Sequence, residues 1–306
     1  MSAIRAFGFI RRVFAPRTFE DRLLRASYAF VLPALVVYVA IVLYPTISTI
    51  ILSFYKWSGF TKNREWVGIA NYVRLANDEL VRQAFLHNLI WIVGSVCLPL
   101  FFGLLASVLM TTDIAGRYFF RVVFYLPMIF PPVVTAIVWQ WMYATSMGLV
   151  NSFLRFIGLG FLAQPWLGRP ETALLALIGV FSWIFFGFCV IIILAALQTV
   201  DPNLKEAARI DGASAPQILV HITLPSISHE LEFMVLFMAI TAMKVFNLPY
   251  IMTGGGPGYA TEVVATVMYQ KAFGESQMGY GAAIATALMV FVVGAYALSR
   301  FRRRET

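Results

Sequence analysis

Long charge-free stretches recur along the chain and set its expected architecture. A helix needs about 20 apolar residues to cross a bilayer's hydrocarbon core. Ala29–Leu52, Asn88–Thr112 and the stretch from Arg121 to Leu154 each reach that length without a charge. So do the runs between Glu171 and Asp201 and between Glu275 and Arg300, while Phe233–Met252 contains a single charge, Lys244. The pattern predicts an all-α integral membrane fold with six transmembrane helices, because a membrane-spanning barrel would show alternating segments of about ten residues. A basic segment, 1–28, is expected before a six-helix domain at 29–300, with a polar connection at 201–225 and a basic tail at 301–306. The first run is long and has no small-residue cleavage site at its end, so it reads as a retained anchor and not as a removed signal peptide.

Composition agrees with that reading. Apolar residues make up 60% of the chain and charged residues 12%, against about 45–50% and about 25% in soluble domains. The formal charge is +8, from 23 Lys and Arg against 15 Asp and Glu. Fourteen of the 23 basic residues flank the side that carries the amino end: six between Arg5 and Arg25, then Arg117, Arg121, Lys205 and Arg209, and four between Arg300 and Arg304. Cytoplasmic loops retain such an excess, which predicts both termini and the 201–225 connection in the cytoplasm. The basic balance is therefore topogenic, and nucleic acid is not an expected partner. Cys97 and Cys189 both fall in apolar runs, which excludes a disulfide framework. Ile4, Phe7, Ile10 and Phe14 recur at helical spacing among arginines. That segment suits the membrane interface and its anionic lipid headgroups, and a disordered tail that serves topology alone fits it equally well.

The chain lacks the residues of the common catalytic devices. It has no Gly-Lys pair, so it cannot form a P-loop. Gly158-Leu-Gly160-Phe-Leu-Ala163 matches a loose dinucleotide pattern but sits in an apolar loop with no βαβ context. His229-Glu230-Leu231-Glu232-Phe233 has Phe where a second zinc ligand would stand. There is no GxSxG elbow, and the runs carry no Asp or Glu for an intramembrane hydrolase. An enzyme is not expected. A proton- or ion-coupled secondary transporter would place discontinuous helices at matching positions of two repeats, and residues 29–150 and 170–300 show no such symmetry.

The 201–225 connection is the informative loop. Asp201 is placed to cap a helix whose first residue is Pro202. Leu204, Ala207, Ala208 and Asp211 then share one face, made shallow by its two alanines so that another backbone can approach closely. Gly212 suits a left-handed helix end, and Ala213 keeps the turn slim. Ser214 and Pro216 are expected to open a second helix that Pro225 stops. Glu206 lies opposite the shallow face, within reach of Arg209. A well-capped surface loop would account for Asp201, Pro202 and Gly212, but not for the sequence as a whole.

Glu206-Ala207-Ala208-x-x-Asp211-Gly212-Ala213, followed nine residues on by Ile222-x-Leu224-Pro225, closely resembles the EAA loop of binding-protein-dependent ABC importer permeases. Trp66-Val-Gly-Ile-Ala-Asn71-Tyr72 is similar to the periplasmic element after the first span of carbohydrate-uptake permeases, and Tyr125-Leu-Pro127 to a segment early in their third span. The stretch from Phe246-Asn-Leu-Pro-Tyr250 to Gly256-Pro257 resembles maltose-type and glycerol-3-phosphate-type members. His229 stands where many members have a proline closing the loop.

The resemblance, which covers the chain from about residue 28 onward, implies a type I ABC importer permease fold in a bacterial inner membrane. It implies no cofactor in this chain, with ATP and Mg held by two cytoplasmic ATPase subunits. It further implies a second permease subunit, usually a different chain, and a solute-binding protein outside. The coupling residues it implies are Leu204, Glu206, Ala207, Ala208, Asp211, Gly212, Ala213, Leu224 and Pro225. The solute implied is a sugar, a polyol or a related compound.

Polar residues within the spans are the candidates for a pathway lining: Asn88, Gln140, Trp183, Lys244 and Asn247. A central Lys costs about 2.5–3.5 kcal/mol to insert, so Lys244 is expected to face water, protein or the interface. Asn247, three residues on, is expected on the same helical face. Pro99, Pro127, Pro131, Pro132 and Pro249 are expected to interrupt their helices, and the Ala283, Ala287 spacing suits close helix packing.

Overall fold

The computed structural model describes residues 19–112 and 115–302. The amphipathic segment around Ile4–Phe14 and the end of the basic tail lie outside the described residues.

The first apolar run forms α1 (Phe19–Tyr38) and α2 (Tyr44–Leu52), joined by a π turn at Val39–Leu43. Pro45 explains the joint: it has no N–H, and its ring crowds the carbonyl four residues back, which the wider turn moves aside. The chain then makes a two-stranded antiparallel hairpin, β1 (Tyr55–Lys56) and β2 (Glu65–Trp66), with Tyr55 opposite Trp66 and Lys56 opposite Glu65. Next come α3 (Ala70–Asn77) and the long α4 (Glu79–Leu109). Asp78 caps α4 by accepting from Leu80 N at 3.0 Å and Val81 N at 3.4 Å. This helix begins nine residues before the charge-free run because its first turns are polar and stand clear of the apolar layer.

The third run is two helices, α5 (Arg117–Ile129) and α6 (Pro132–Met142), bent by 102°. Pro131 and Pro132 together remove two successive amide donors and force the break. Single prolines do not have this effect: Pro33, Pro99 and Pro127 all lie inside continuous helices, contrary to the expectation for the last two. A short α7 (Leu149–Phe156) precedes the fourth span, α8 (Pro170–Thr199). The polar connection forms α9 (Pro202–Ile210), α10 (Ala215–Ile218), a π turn at Leu219–Thr223 and α11 (Leu224–Ser226). The fifth span is α12 (Ser228–Met243) followed by α13 (Asn247–Met252). Finally α14 (Val264–Tyr269) and a π turn at Gln270–Gly274 lead to α15 (Met278–Arg302).

Among the described residues four continuous helical stretches are long and apolar enough to cross a membrane, the first of them running from α1 through the π turn into α2, and there are six if each bent pair counts as one. The core sits where α4, α8 and α12 meet, around Trp91, Leu177, Ile193, Met234 and Met238, all fully buried. Glycines permit the closest approaches. A Cβ at Gly103 would lie 2.7 Å from Cys189 Cβ, and one at Gly187 would overlap the Phe124 carbonyl between α8 and α5. Of the Ala283, Ala287 pair, Ala283 is fully buried and Ala287 half-buried. None of the first span's apolar window is buried by the chain itself, so its surface is left for lipid or another subunit.

Candidate functional site

The first candidate is the hairpin at residues 201–226. Asp201 accepts from Asn203 N at 2.9 Å, and Pro202 occupies the first turn. At the other end Gly212 has φ +84°, Gly212 N donates to Arg209 O at 3.1 Å and Ala213 N to Ala208 O at 2.9 Å. This is the left-handed cap that the residue types predict. Ser214 opens the second limb, its N and Oγ both donating to Gln217 Oε1 at 2.8 Å. The limb does not stop at Pro225. A π turn precedes this proline as one precedes Pro45, the helix runs on to Ser226, and the 70° bend comes before Ser228.

The hairpin is uncovered outward and rooted inward. Leu204 and Ile210 are 52% and 82% exposed, and Glu206, Ala207 and Asp211 are exposed, with Ala208 and Ala213 half-buried. Glu206 forms no ion pair with Arg209 among the described residues, so it does not brace the helix in that way. The two limbs enclose a shallow groove of about 340 Å³ lined by Asp211, Gly212, Ala213, Gln217, Ile218, His221 and Ile222. Ile218 is buried, Leu224 packs against the main core and Ile227 lies fully within it, whereas Pro225 is exposed. The second limb is thus fixed to the spans and the first stands free.

The second candidate is the break in the fifth span. After Met243 the helix closes on itself: Lys244 N donates to Thr241 O at 3.3 Å and Val245 N to Ala242 O at 3.2 Å. Phe246, at φ −137° and ψ −50°, is neither helical nor extended before α13 begins. Lys244 and Asn247 therefore do not share a continuous helical face, although both are exposed. Asn88 is only 2% exposed and serves the break instead. Its Nδ2 donates to Met243 O at 3.2 Å and Ala242 O at 3.4 Å, and its Oδ1 accepts from Val264 N at 2.8 Å. The carbonyls at the end of α12 and the first amide of α14 lie where helical hydrogen bonding runs out, and a buried amide from α4 bridges them. Asn88 is a structural bridge in this conformation and does not face a pathway.

Gln140 is exposed, and its Nε2 donates to Met252 O at 3.3 Å, which ties α6 to the far end of α13. Trp183 is half-open and stacks edge-on to Trp139 at 5.3 Å. The sequence reading missed an aromatic group beside Lys244 and Asn247. Phe246 stacks on Tyr250 at 4.9 Å, Tyr269 lies 5.4 and 5.2 Å from these two rings, and Phe273 lies 5.2 Å from Tyr269. Phe246 and Tyr250 at i, i+4 were a legible signal, but the approach of Tyr269 was not.

A tight loop follows the break. Thr253 and Thr261 share a hydroxyl hydrogen bond at 2.7 Å, and the Thr266 hydroxyl donates to the buried carboxylate of Glu262. Burial pushes the Glu262 carboxyl above the usual carboxylate range, a shift that the Thr266 hydrogen bond and the charge of His87 oppose. Gly255, at φ +86°, leaves the space that this carboxyl fills.

Comparison with known proteins agrees with this arrangement. Residues 99–303 match the family model described as "Binding-protein-dependent transport system inner membrane component". The chain is 37% identical over 269 residues to the probable ABC transporter permease protein YurN of Bacillus subtilis (strain 168), covering 87% of this chain and 91% of that one. It is 30% identical over 282 residues to the trehalose/maltose transport system permease protein MalF of Thermococcus litoralis, covering 91% and 95%. A chain of a bacterial alginate ABC transporter, crystallised with an alginate pentasaccharide-bound periplasmic protein, superposes with a TM-score of 0.75 at 25% identity, covering 92% and 95%. The chain has the type I ABC importer permease fold and belongs to the family of binding-protein-dependent ABC transporter permeases.

Proposed function

We propose that this chain forms half of the translocation pathway of an ATP-driven importer for a sugar-like solute. Two cytoplasmic ATPase subunits drive it, a second permease subunit completes the pathway, and an extracytoplasmic binding protein delivers the solute. Both termini and the 201–226 hairpin lie in the cytoplasm of a bacterial inner membrane. Named sugar permeases among the relatives and the alginate complex support the solute class and its delivery. The observation that carries the reading is the hairpin, free on its Leu204–Ala207 face and tied to the core through Leu224 and Ile227. Such an element passes a push on its outer limb into α12. Lys244, Asn247 and the Phe246–Tyr250–Tyr269 rings line the route, the rings offering flat apolar faces to a sugar and the polar pair offering hydrogen bonds.

One purified preparation tests this. Ala207→Trp adds bulk to the shallow face. It is expected to leave the chain inserted but to release the ATPase, or to uncouple hydrolysis from uptake. Asn247→Leu is expected to lower uptake with assembly intact. Normal co-purification, hydrolysis and uptake in the Ala207 variant would remove the coupling role. Solute accumulation by the chain alone in vesicles under an ion gradient would establish a secondary transporter instead.

A further inference from the structure

The ends of the first and sixth spans share a cavity of about 850 Å³ that the transport reading does not use. Hairpin β1–β2, the start of α3 and the first turn of α15 enclose it. Lys56, Arg64 and Arg74 line it against a single acid, Glu65. Among the described residues none of these three cations is in an ion pair, although Arg82 pairs with Glu79 and Lys271 with Glu275 nearby in sequence.

Two of the cations are pre-oriented. The Arg64 guanidinium lies over the Trp57 ring at 4.3 Å and that of Arg74 over the Tyr280 ring at 3.9 Å. The rings are themselves anchored, Trp57 Nε1 donating to Thr61 O and Tyr280 OH to Asp78 Oδ2, each at 2.7 Å. Arg74 Nη1 donates to Gln277 Oε1 at 2.7 Å, which fixes its rotation. A stacked guanidinium keeps its remaining N–H donors at its edge, where they match two oxygens of an oxyanion.

Depth decides which oxyanion. Tyr55 is three residues beyond the end of α2, and Tyr280 is the third residue of α15. The cavity therefore lies close to where both spans leave the hydrocarbon; Trp57 and Tyr280 line it, and Tyr55, Trp66 and Tyr72 are on the elements that form it, all residue types that gather at headgroup level. A phospholipid phosphate is already at that depth, whereas a soluble partner meets only the rim. We propose that this cavity binds the phosphate of an anionic phospholipid headgroup, gripped by Arg64 and Arg74 with Lys56 adding charge. The proposal holds whichever way the chain is oriented.

The test uses the full chain, purified with the subunits that accompany it, delipidated and titrated in native mass spectrometry with phosphatidylglycerol or phosphatidylcholine. Wild type is expected to retain phosphatidylglycerol about tenfold or more in preference, given three basic side chains near the surface. Lys56→Gln/Arg74→Gln should abolish that preference. So should Lys56→Gln/Arg64→Gln, which leaves the Arg74–Tyr280 packing in place, while Arg82→Gln should keep it. Equal retention of the two lipids by wild type, or an undiminished preference in both double variants, overturns the proposal. Binding of inorganic phosphate that needs Arg64 and Arg74, with neither lipid retained by wild type, assigns the cavity to a free anion. Unchanged lipid retention with weakened docking of an acidic solute-binding protein assigns it to a protein partner. Either result also overturns the lipid assignment.

Discussion

Replacing Gly212 separates backbone strain from crowding, because a Cβ built there meets nothing within 4 Å while φ is +84°. Holding an L-residue in the left-handed region costs about 1–2 kcal/mol. At about 1.4 kcal/mol per factor of ten, the population of correctly turned hairpin should fall about five- to thirtyfold in Gly212→Ala. Asn visits that region more readily, so Gly212→Asn should lose less. Gly212→Pro cannot reach positive φ and also forfeits the amide bond to Arg209 O, a combined penalty of about 3 kcal/mol or more. The first limb stands free between the buried Val200 and the turn, and the second limb carries the hairpin's buried side chains, so the strain should stay local. Thermal unfolding of the detergent-purified chain, followed by size-exclusion fluorescence, should not move across the series. The affinity for the ATPase subunits and ATP-driven uptake should instead fall in the order Gly, Asn, Ala, Pro. Ala matching Gly in both assays would show that docking does not need the left-handed turn. Asn falling below Ala would refute the conformational argument itself, and a parallel loss of thermal stability would mean that the strain is not local.

Three further outcomes follow from other sites. Asn88→Ala strands Val264 N and the Met243 carbonyl; at about 1–3 kcal/mol per unsatisfied buried group, it should lower the unfolding midpoint clearly, where Asn247→Ala at an exposed position should not. Glu262 is held above the usual carboxylate range by burial, so the fold keeps its proton longer than the unfolded chain does. Stability should then decline as pH rises from the ordinary carboxylate value through the raised one. Glu262→Gln, which keeps an oxygen for Thr266, should flatten that decline and raise the neutral-pH midpoint, and an unchanged pH profile would contradict the assignment. For topology, Ile210→Cys and Phe60→Cys are both highly exposed positions; an impermeant thiol reagent applied to intact cells should label only the second, and labelling of the first alone would invert the orientation.

The legible parts of this chain are those whose chemistry is local. Charge-free runs locate the spans because a bilayer penalises each stray charge, and Asp201-Pro202 and Gly212 locate the ends of α9 because caps depend on adjacent backbone. Prolines were only half legible. Pro99 sits inside α4, where neighbouring helices hold it, whereas the Pro131-Pro132 pair breaks its span. Asn88 was misread for a different reason: its partners Met243 and Val264 lie more than 150 residues away, and nothing near it in sequence announces them. Tyr269 is only 19 residues from Tyr250, but it lies on a separate element, α14, beyond the 253–263 loop, so no helical spacing links it to the Phe246–Tyr250 pair.

The break that Asn88 holds also defines what the hairpin can move. α12 is a rod of 16 residues, about 24 Å long at 1.5 Å per residue. One end begins after Ile227, buried at the 70° bend below the hairpin, and the other ends at the carbonyls of Ala242 and Met243. Asn88 joins those carbonyls to Val264 N, and so to the start of α14 beyond the 253–263 loop. Under the proposed coupling, a displacement of the second limb would reach two structures together, the exposed Lys244–Asn247 break and the loop that follows α13. A continuous fifth helix would have carried the same push as a rigid translation. If the hairpin transmits a push as proposed, the interruption would let the α12 rod tilt while α13 stays tied to α6 through Gln140 and the Met252 carbonyl, which would put the relative motion at the residues proposed to meet the solute.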